Sequence, residues 1–223
     1  MQDADYVQSA FSRIARRYVL TNHVLSMGID VLWRKRVAAI VAGYQPSSVL
    51  DIATGSGDLA EAVAHACPEA QVVGADFCLP MLQEAQKRGI PDLVVADGTD
   101  LPFYDNSFDA LTVGFGLRNM SSWPVALQEM RRVVAPGGPV VVLDFSLPRP
   151  PLAAPYRFYL HKIMPLVAGA LTGEKDAYQY LSGSIEQFPS GQAMIDLFKE
   201  SGFDDCVHQP VSGGIASIYV GEA

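Results

Sequence analysis

The stretch SVLDIATGSGDLA, residues 48 to 60, constrains the fold of this chain more than any other. A short apolar run ends in Asp51 and enters a loop where Gly55, Gly57 and Ala60 satisfy G-x-G-x-x-G/A. That spacing describes a strand turning tightly into a helix whose N-terminus faces a bound nucleotide. Asp76 lies about 20 residues further on, where a ribose-binding acid belongs. A dinucleotide and S-adenosylmethionine both use this strand–loop–helix unit, and the rest of the chain has to separate them.

From Ser48 onward, short apolar runs alternate with helical segments. SVLDIA precedes a helix from Asp58 to Cys67, AQVVGAD one from Pro80 to Arg88, and DLVVAD a loop. FDALTVGF precedes a helix from Trp123 to Val134, and GGPVVVLDFS closes the series. Continuous Val, Leu and Ile runs between helices point to a parallel sheet covered on both faces. Ahead of it, residues 6–42 have helical spacing (Phe11, Ile14, Ala15, Tyr18, then Leu32, Val37, Ile40, Val41), with a break near Ser26-Met27-Gly28. Behind it come a Pro-rich passage, an aromatic-rich helical insertion, a helix from Ser190 to Ser201 stopped by Gly202, and two strands joined through Gly213-Gly214. One domain over 1–223 is expected, divided into an N-terminal cap (6–42), a cofactor-binding core (48–146), an insertion (150–184) and a C-terminal helix and hairpin (190–220). An α/β sheet finished by a C-terminal hairpin is the arrangement of class I, Rossmann-like methyltransferases. A dinucleotide dehydrogenase more usually supplies a second half-sheet or a substrate domain.

Charge separates the two cofactors further. A pyrophosphate on the loop would sit between Asp51 and Asp58, which repel it. The ammonium and sulfonium of S-adenosylmethionine suit those carboxylates. Gly55 and Gly57 let the backbone approach the amino-acid part of the cofactor. Asp76, with Phe77 beside it, can accept from both ribose hydroxyls, and Asp97, with Gly98 beside it, from the adenine amino group. Each acid alone could equally cap a helix or turn. Three of them at the ends of three successive strands lie on the edge where open α/β sheets bind ligands.

The totals exclude other classes. Of 223 residues, 49% are hydrophobic and 18% charged, a globular composition. The net charge of −8 argues against a nucleic-acid partner. Residues 1–37 hold six basic and three acidic side chains, so that +3 leaves −11 for the remainder. A solvated helix face and an approach to an anionic surface are both open for that basic end. Cys67, Cys78 and Cys206 form no CxxC and read as thiols of a reducing compartment. The start, MQDADYVQSAF, lacks the apolar core of a signal peptide, and LAAPYRFYLHKIMPLVAGAL is too interrupted to span a bilayer. A cytoplasmic protein is expected. No His/Cys ligand cluster is visible, and no metal is expected.

FSRIARRYVLTNHVLSMGIDVLWRKRV, residues 11 to 37, resembles the N-terminal signature of the ubiquinone/menaquinone biosynthesis C-methyltransferase family. The resemblance continues through DIATGSGDLA, LPFYDNSFDALTVGFGLRNM, RVVAPGG and the insertion to ESGF. It implies methylation of a ring carbon on a prenylated quinol by S-adenosylmethionine, giving S-adenosylhomocysteine. Carried over by position, cofactor contacts fall on Ser56, Asp76, Asp97, Gly98 and Gly114. Three positions depart from the family's usual residues: Val19 (commonly Asp), Gly114 (often Ser) and Asp144 (usually Glu). Demethylmenaquinol is the preferred acceptor. A ubiquinone-pathway benzoquinol and another small aromatic remain alternatives, with a nicotinamide oxidoreductase and a non-catalytic adenosylmethionine binder behind them.

Carbon methylation needs an electron-rich ring carbon aligned behind the sulfonium methyl. In FGLRNM, Arg118 could stabilise a phenolate and Asn119 could hydrogen-bond a quinol oxygen. The bland reading of Arg118 is a pair with a sheet-edge carboxylate. Tyr18, Asn22 and His23 on the N-terminal helices, and Tyr156, Tyr159 and His161 in the insertion, are candidates for the acceptor pocket, with ordinary packing as their alternative. Leu160, Ile163, Met164, Leu166 and Val167 suit a groove for a prenyl tail, plain core or a homodimer surface. Attachment to the periphery of the membrane's inner face is compatible with a substrate that resides there.

Overall fold

In a computed structural model of the chain, the residues described are 28–164, 166 and 183–223. The sequence-assigned cap is therefore seen from Gly28 onward. Tyr18, Val19, Asn22 and His23 lie outside the described residues, as does Val167 of the insertion.

Helix α1 (Ile29–Gly43) leads into β1 (Ser48–Ile52), α2 (Asp58–Ala66), β2 (Gln71–Asp76), α3 (Leu79–Lys87) and β3 (Asp92–Val95). Strand β4 (Ala110–Gly114), a 3-10 turn (Leu117–Asn119), α4 (Trp123–Val133) and β5 (Pro139–Phe145) complete the alternating series. Helix α5 (Ala153–Phe158) continues into a π-helical turn (Tyr159–Ile163). Helix α6 (Gln192–Glu200) and strands β6 (Asp204–Val211) and β7 (Ala216–Glu222) end the chain. The strands form one sheet in the order β3-β2-β1-β4-β5-β7-β6. The first five are parallel, and β7 runs antiparallel to both β5 and β6.

Strand alternation divides the core into two layers. Leu50, Ile52, Leu111, Val113, Val140 and Val142 pack with Leu127, Met130 and Phe198 on one face. Val49, Ala110, Val141 and Leu143 pack with Trp33, Val37 and Val63 on the other. This two-faced burial is why the central strands read as unbroken apolar runs. Burying one such side chain is worth roughly 1.5–3 kcal/mol, so the sheet interior is the rigid part on which a site can be mounted. Helix α1 is tied to the hairpin connection by Trp33 Nε1, which donates to Ser212 Oγ at 2.9 Å, and to β6 by Arg36 Nη2, which donates to Gln209 Oε1 at 3.0 Å. The order of successive strands reverses between β1 and β4, the switch point at which open α/β sheets bind ligands.

Among the described residues, no helix is long and apolar enough to cross a membrane. Cys67 and Cys78 are buried, Cys206 is half-buried, and all three are free thiols.

Candidate active site

The loops after β1 and β4 meet at the switch point. Ala53 (φ 48°) and Phe115 (φ 60°) follow the two strands in the left-handed region, which non-glycine residues rarely occupy. Between them the chains pass so closely that a Cβ on Gly116 would lie 2.3 Å from the Cβ of Ala53. Sequence reading overlooked Gly116, because a glycine required by a neighbour in space has no local spacing to announce it. The strain is held by the sheet: Thr54 N–H donates to Ala75 O at 3.0 Å, and Phe115 N–H to Leu143 O at 2.7 Å. Strain of this kind clusters where a ligand must be gripped.

A cleft of about 1000 Å³, counting space open to solvent, lies above these loops. Asp51, Gly55, Ser56, Asp76, Phe77, Asp97, Gly98 and Gly114 all line it. Gly57 does not. It turns the chain into α2 with φ 81°, and a Cβ there would lie 3.1 Å from that of Ala85.

The acids differ in their surroundings. Asp51 is fully buried beneath the glycine loop, where Thr54 Oγ1 and Thr112 Oγ1 each donate to it at 2.6 Å. Burial pushes its pKa up to about 6, against the pull of those hydrogen bonds and the nearby charge of Arg34. Asp76 accepts from the backbone N–H of Gly55 and of Cys78, at 2.8 Å each. Burial pushes it to about 6 as well, although both amides favour the ionised form. A carboxylate has about four acceptor positions, so each oxygen of Asp76 can accept a further hydroxyl. Asp97 is exposed, and its Oδ1 accepts from the N–H and hydroxyl of Thr99, at 2.8 Å each. Ser56 Oγ donates to Asp58 Oδ2 at 2.6 Å, and Asp58 pairs with Arg88 at 3.1 Å. The α2 N-terminus therefore carries a partly compensated acid.

The two residues expected to act on the acceptor separate. Asn119 lines the cleft, and its Nδ2 donates a long hydrogen bond to Phe115 O at 3.5 Å. Its Oδ1 is buried and accepts no hydrogen bond among the described residues. Arg118 does not line the cleft. It is 1% exposed, and Nη1 donates to Asp144 Oδ1 and to Phe115 O, at 2.6 Å each. Its guanidinium also lies 5.3 Å from the centroid of the Phe145 ring. This corrects the phenolate-stabilising expectation: the cation is directed into a pair with the carboxylate at the end of β5. Burial raises the pKa of Asp144, with the Arg118 charge opposing the rise.

Tyr156, Tyr159 and His161 do not line the described cleft either. The two tyrosine rings stack at 6.3 Å and pack on Leu160, Met164 and Ile185. His161 is drawn outward by Glu186, at 3.0 Å. Phe145 joins this cluster to the cleft by packing its ring, tilted, 4.6 Å from that of Phe115, with Trp33 6.1 Å beyond. An aromatic wall thus runs from the cleft toward the insertion. Arg34, on α1, lines the cleft too; sequence reading counted it only among the basic residues of the N-terminal end. Among the described residues, no group of three His, Cys, Asp or Glu side chains is arranged to hold a metal ion.

A parallel sheet closed by an antiparallel hairpin, with a glycine loop and acids at successive strand ends, defines a class I S-adenosylmethionine-dependent methyltransferase. A solved SAM-dependent methyltransferase from Thermotoga maritima shares the fold, with a TM-score of 0.62 and 19% identity over 96% of this chain and 98% of that one. The chain belongs to the ubiE/COQ5 methyltransferase family, whose model matches residues 1–223. It is similar to the demethylmenaquinone methyltransferase of Thermus thermophilus, 42% identical over 95% of this chain and 99% of that protein. It is also similar to the ubiquinone/menaquinone biosynthesis C-methyltransferase UbiE of Bdellovibrio bacteriovorus, 41% identical over 97% of this chain and 95% of that protein.

Proposed function

We propose that the chain, as one methyltransferase domain over 1–223, methylates a ring carbon of a prenylated quinol, with demethylmenaquinol as acceptor. The cleft's donor set fits S-adenosylmethionine, because carboxylates from three strand ends face a ligand that carries an ammonium and a sulfonium. When bound, that cofactor supplies an electrophilic methyl group. Asp76 holds the ribose hydroxyls, Asp97 accepts from the adenine amino group, and the backbone of Gly55 and Ser56 cradles the amino-acid end.

Asn119 carries the choice of acceptor. Its Oδ1 is a buried hydrogen-bond acceptor at the cleft with no donor among the described residues, and such a group is costly until it finds one. A quinol brings hydroxyl donors, whereas the oxidised quinone brings only carbonyls. Bound through one hydroxyl, the reduced ring lies against Phe115 with an electron-rich carbon beside the bound oxygen. Attack requires that carbon to come within about 3 to 3.5 Å of the methyl. The methyl would leave the sulfur with its bonding pair behind, and the carbon it joins would release its ring hydrogen as a proton to solvent, restoring the aromatic quinol. The Thermus relative's name supports demethylmenaquinone as the ring, and the Bdellovibrio relative's name keeps the ubiquinone precursor as a second acceptor.

The segment from Arg149 to Leu166 contains no acid, carries Arg149, Arg157 and Lys162, and exposes Leu152, Phe158, Ile163 and Leu166. That composition supports peripheral attachment to the membrane that holds such a tail. The test of the function is an anaerobic transfer assay with methyl-labelled cofactor and demethylmenaquinone offered reduced or oxidised. Label is expected in the reduced form alone. Label in the oxidised form would overturn the quinol reading, and label in a ubiquinone-precursor benzoquinol offered in a parallel reaction, with none in demethylmenaquinol, would reassign the acceptor.

A further inference from the structure

The lining of the cleft is unbalanced in charge. Asp51, Asp58, Asp76 and Asp97 line it, and Arg34 is the one Lys, Arg or His side chain among the described residues that does so. S-adenosylmethionine presents two cations to such a lining and also one anion, the α-carboxylate of its methionine part. Asp51 and Asp58, on either side of the glycine loop, suit the cations, and all four acids repel the carboxylate. That anion needs a cationic partner near the glycine loop.

We infer that Arg34 is the anchor for the α-carboxylate of the cofactor. The assignment rests on reading the cleft as the S-adenosylmethionine site. Helix α1 carries Arg34 to the loop's side of the cleft, and Asp30, 2% exposed and one turn earlier, pairs with its Nη1. The guanidinium lies 5.7 Å from the centroid of the Phe115 ring, and its charge is felt by Asp51 under the loop. One edge of the fork is therefore fixed by Asp30 and one face by an aromatic ring. Nη2 and Nε carry no other hydrogen bond among the described residues. A planar fork with two donors left is the geometry that grips a carboxylate. The side chain is 11% exposed, so the bond would form largely out of water.

The test compares two ligands on three proteins by isothermal titration calorimetry. The ligands are S-adenosylmethionine and its decarboxylated form; the proteins are wild type, Arg34→Lys and Arg34→Gln. A charge-assisted hydrogen bond of this kind corresponds to about 10–100-fold in affinity. Arg34→Gln is expected to lower the preference for the intact ligand over the decarboxylated one by that factor, and Arg34→Lys by less. An unchanged preference in both variants, with both ligands weakened alike, would overturn the assignment and make Arg34 a packing residue. Failure of the wild-type protein to bind either ligand would instead overturn the cofactor reading itself, and this assignment with it.

Discussion

At the end of β2, Asp76 is held by two backbone amides and still titrates near 6, because burial outweighs both bonds. Asp51 behaves alike. Both folded values lie above the ordinary 3.8, so the folded chain binds more protons than the unfolded chain between about pH 4 and 6. The stability these groups contribute is complete below about pH 4 and is lost as pH rises through 6, by up to ~3 kcal/mol for each. Urea unfolding of the ligand-free protein across that window should show the slope, and Asp76→Asn should remove the Asp76 share of it, leaving that of Asp51. Cofactor affinity should run the opposite way. Ribose hydroxyls donate best to an ionised carboxylate, so binding measured by calorimetry should strengthen from pH 5 to 7 and then level off. An affinity independent of pH over that range would remove Asp76 from the ribose site. Gly116 yields another outcome at this scale. Gly116→Ala would drive a methyl into Ala53 and shift the loop after β1, with an overpacking cost of about 1–3 kcal/mol. A lower Tm with weakened cofactor binding is expected; unchanged binding would separate the β4 loop from the site. Asp76 was legible in the sequence because its spacing from the glycine loop is fixed by one βαβ unit. Gly116 and Arg34 were not, because each is defined by a neighbour that only the fold brings near.

Between β4 and α4, the 3-10 turn Leu117–Asn119 is locked to β5 by the Arg118–Asp144 pair, which joins residues 26 apart in sequence. The alternation of strands and helices was readable because each parallel strand is apolar on both faces, and glycine or proline punctuates the ends. The partner of Arg118 was not, since it requires β5 to lie beside β4 in the sheet. The pair turns Asn119 toward the cleft by pinning the residue before it, and so acts on the site through position. Arg118→Ala leaves Asp144 buried and uncompensated, a cost of about 3–5 kcal/mol. That corresponds to a fall in Tm of roughly 10 °C for a chain of this size. Arg118→Leu combined with Asp144→Leu should recover most of the loss by removing both charges, yet turnover should stay low if the turn no longer holds Asn119. Full activity in a refolded double variant would show that Asn119 needs no such clamp.

Across the whole molecule, net charge and topology point to the same class of ligand. A chain of net charge −8 that places four carboxylates around one cleft is poorly suited to a pyrophosphate and well suited to a sulfonium with an ammonium. The glycine loop alone does not distinguish these ligands, because a dinucleotide enzyme carries the same spacing; the hairpin β6–β7 and the acids at three strand ends do. Thermal unfolding tests this without any acceptor. A ligand present at 100 times its Kd adds about 2.7 kcal/mol to the folded state. In a protein of this length that raises Tm by roughly 5–10 °C. S-adenosylmethionine and S-adenosylhomocysteine should both give that rise, since both carry the ribose, the adenine and the amino-acid end. NADH should leave Tm where it was, because its pyrophosphate meets Asp51 and Asp58 at the loop. A comparable rise with NADH would mean that the backbone amides of the loop outweigh those carboxylates, and the charge argument for the cleft would fail.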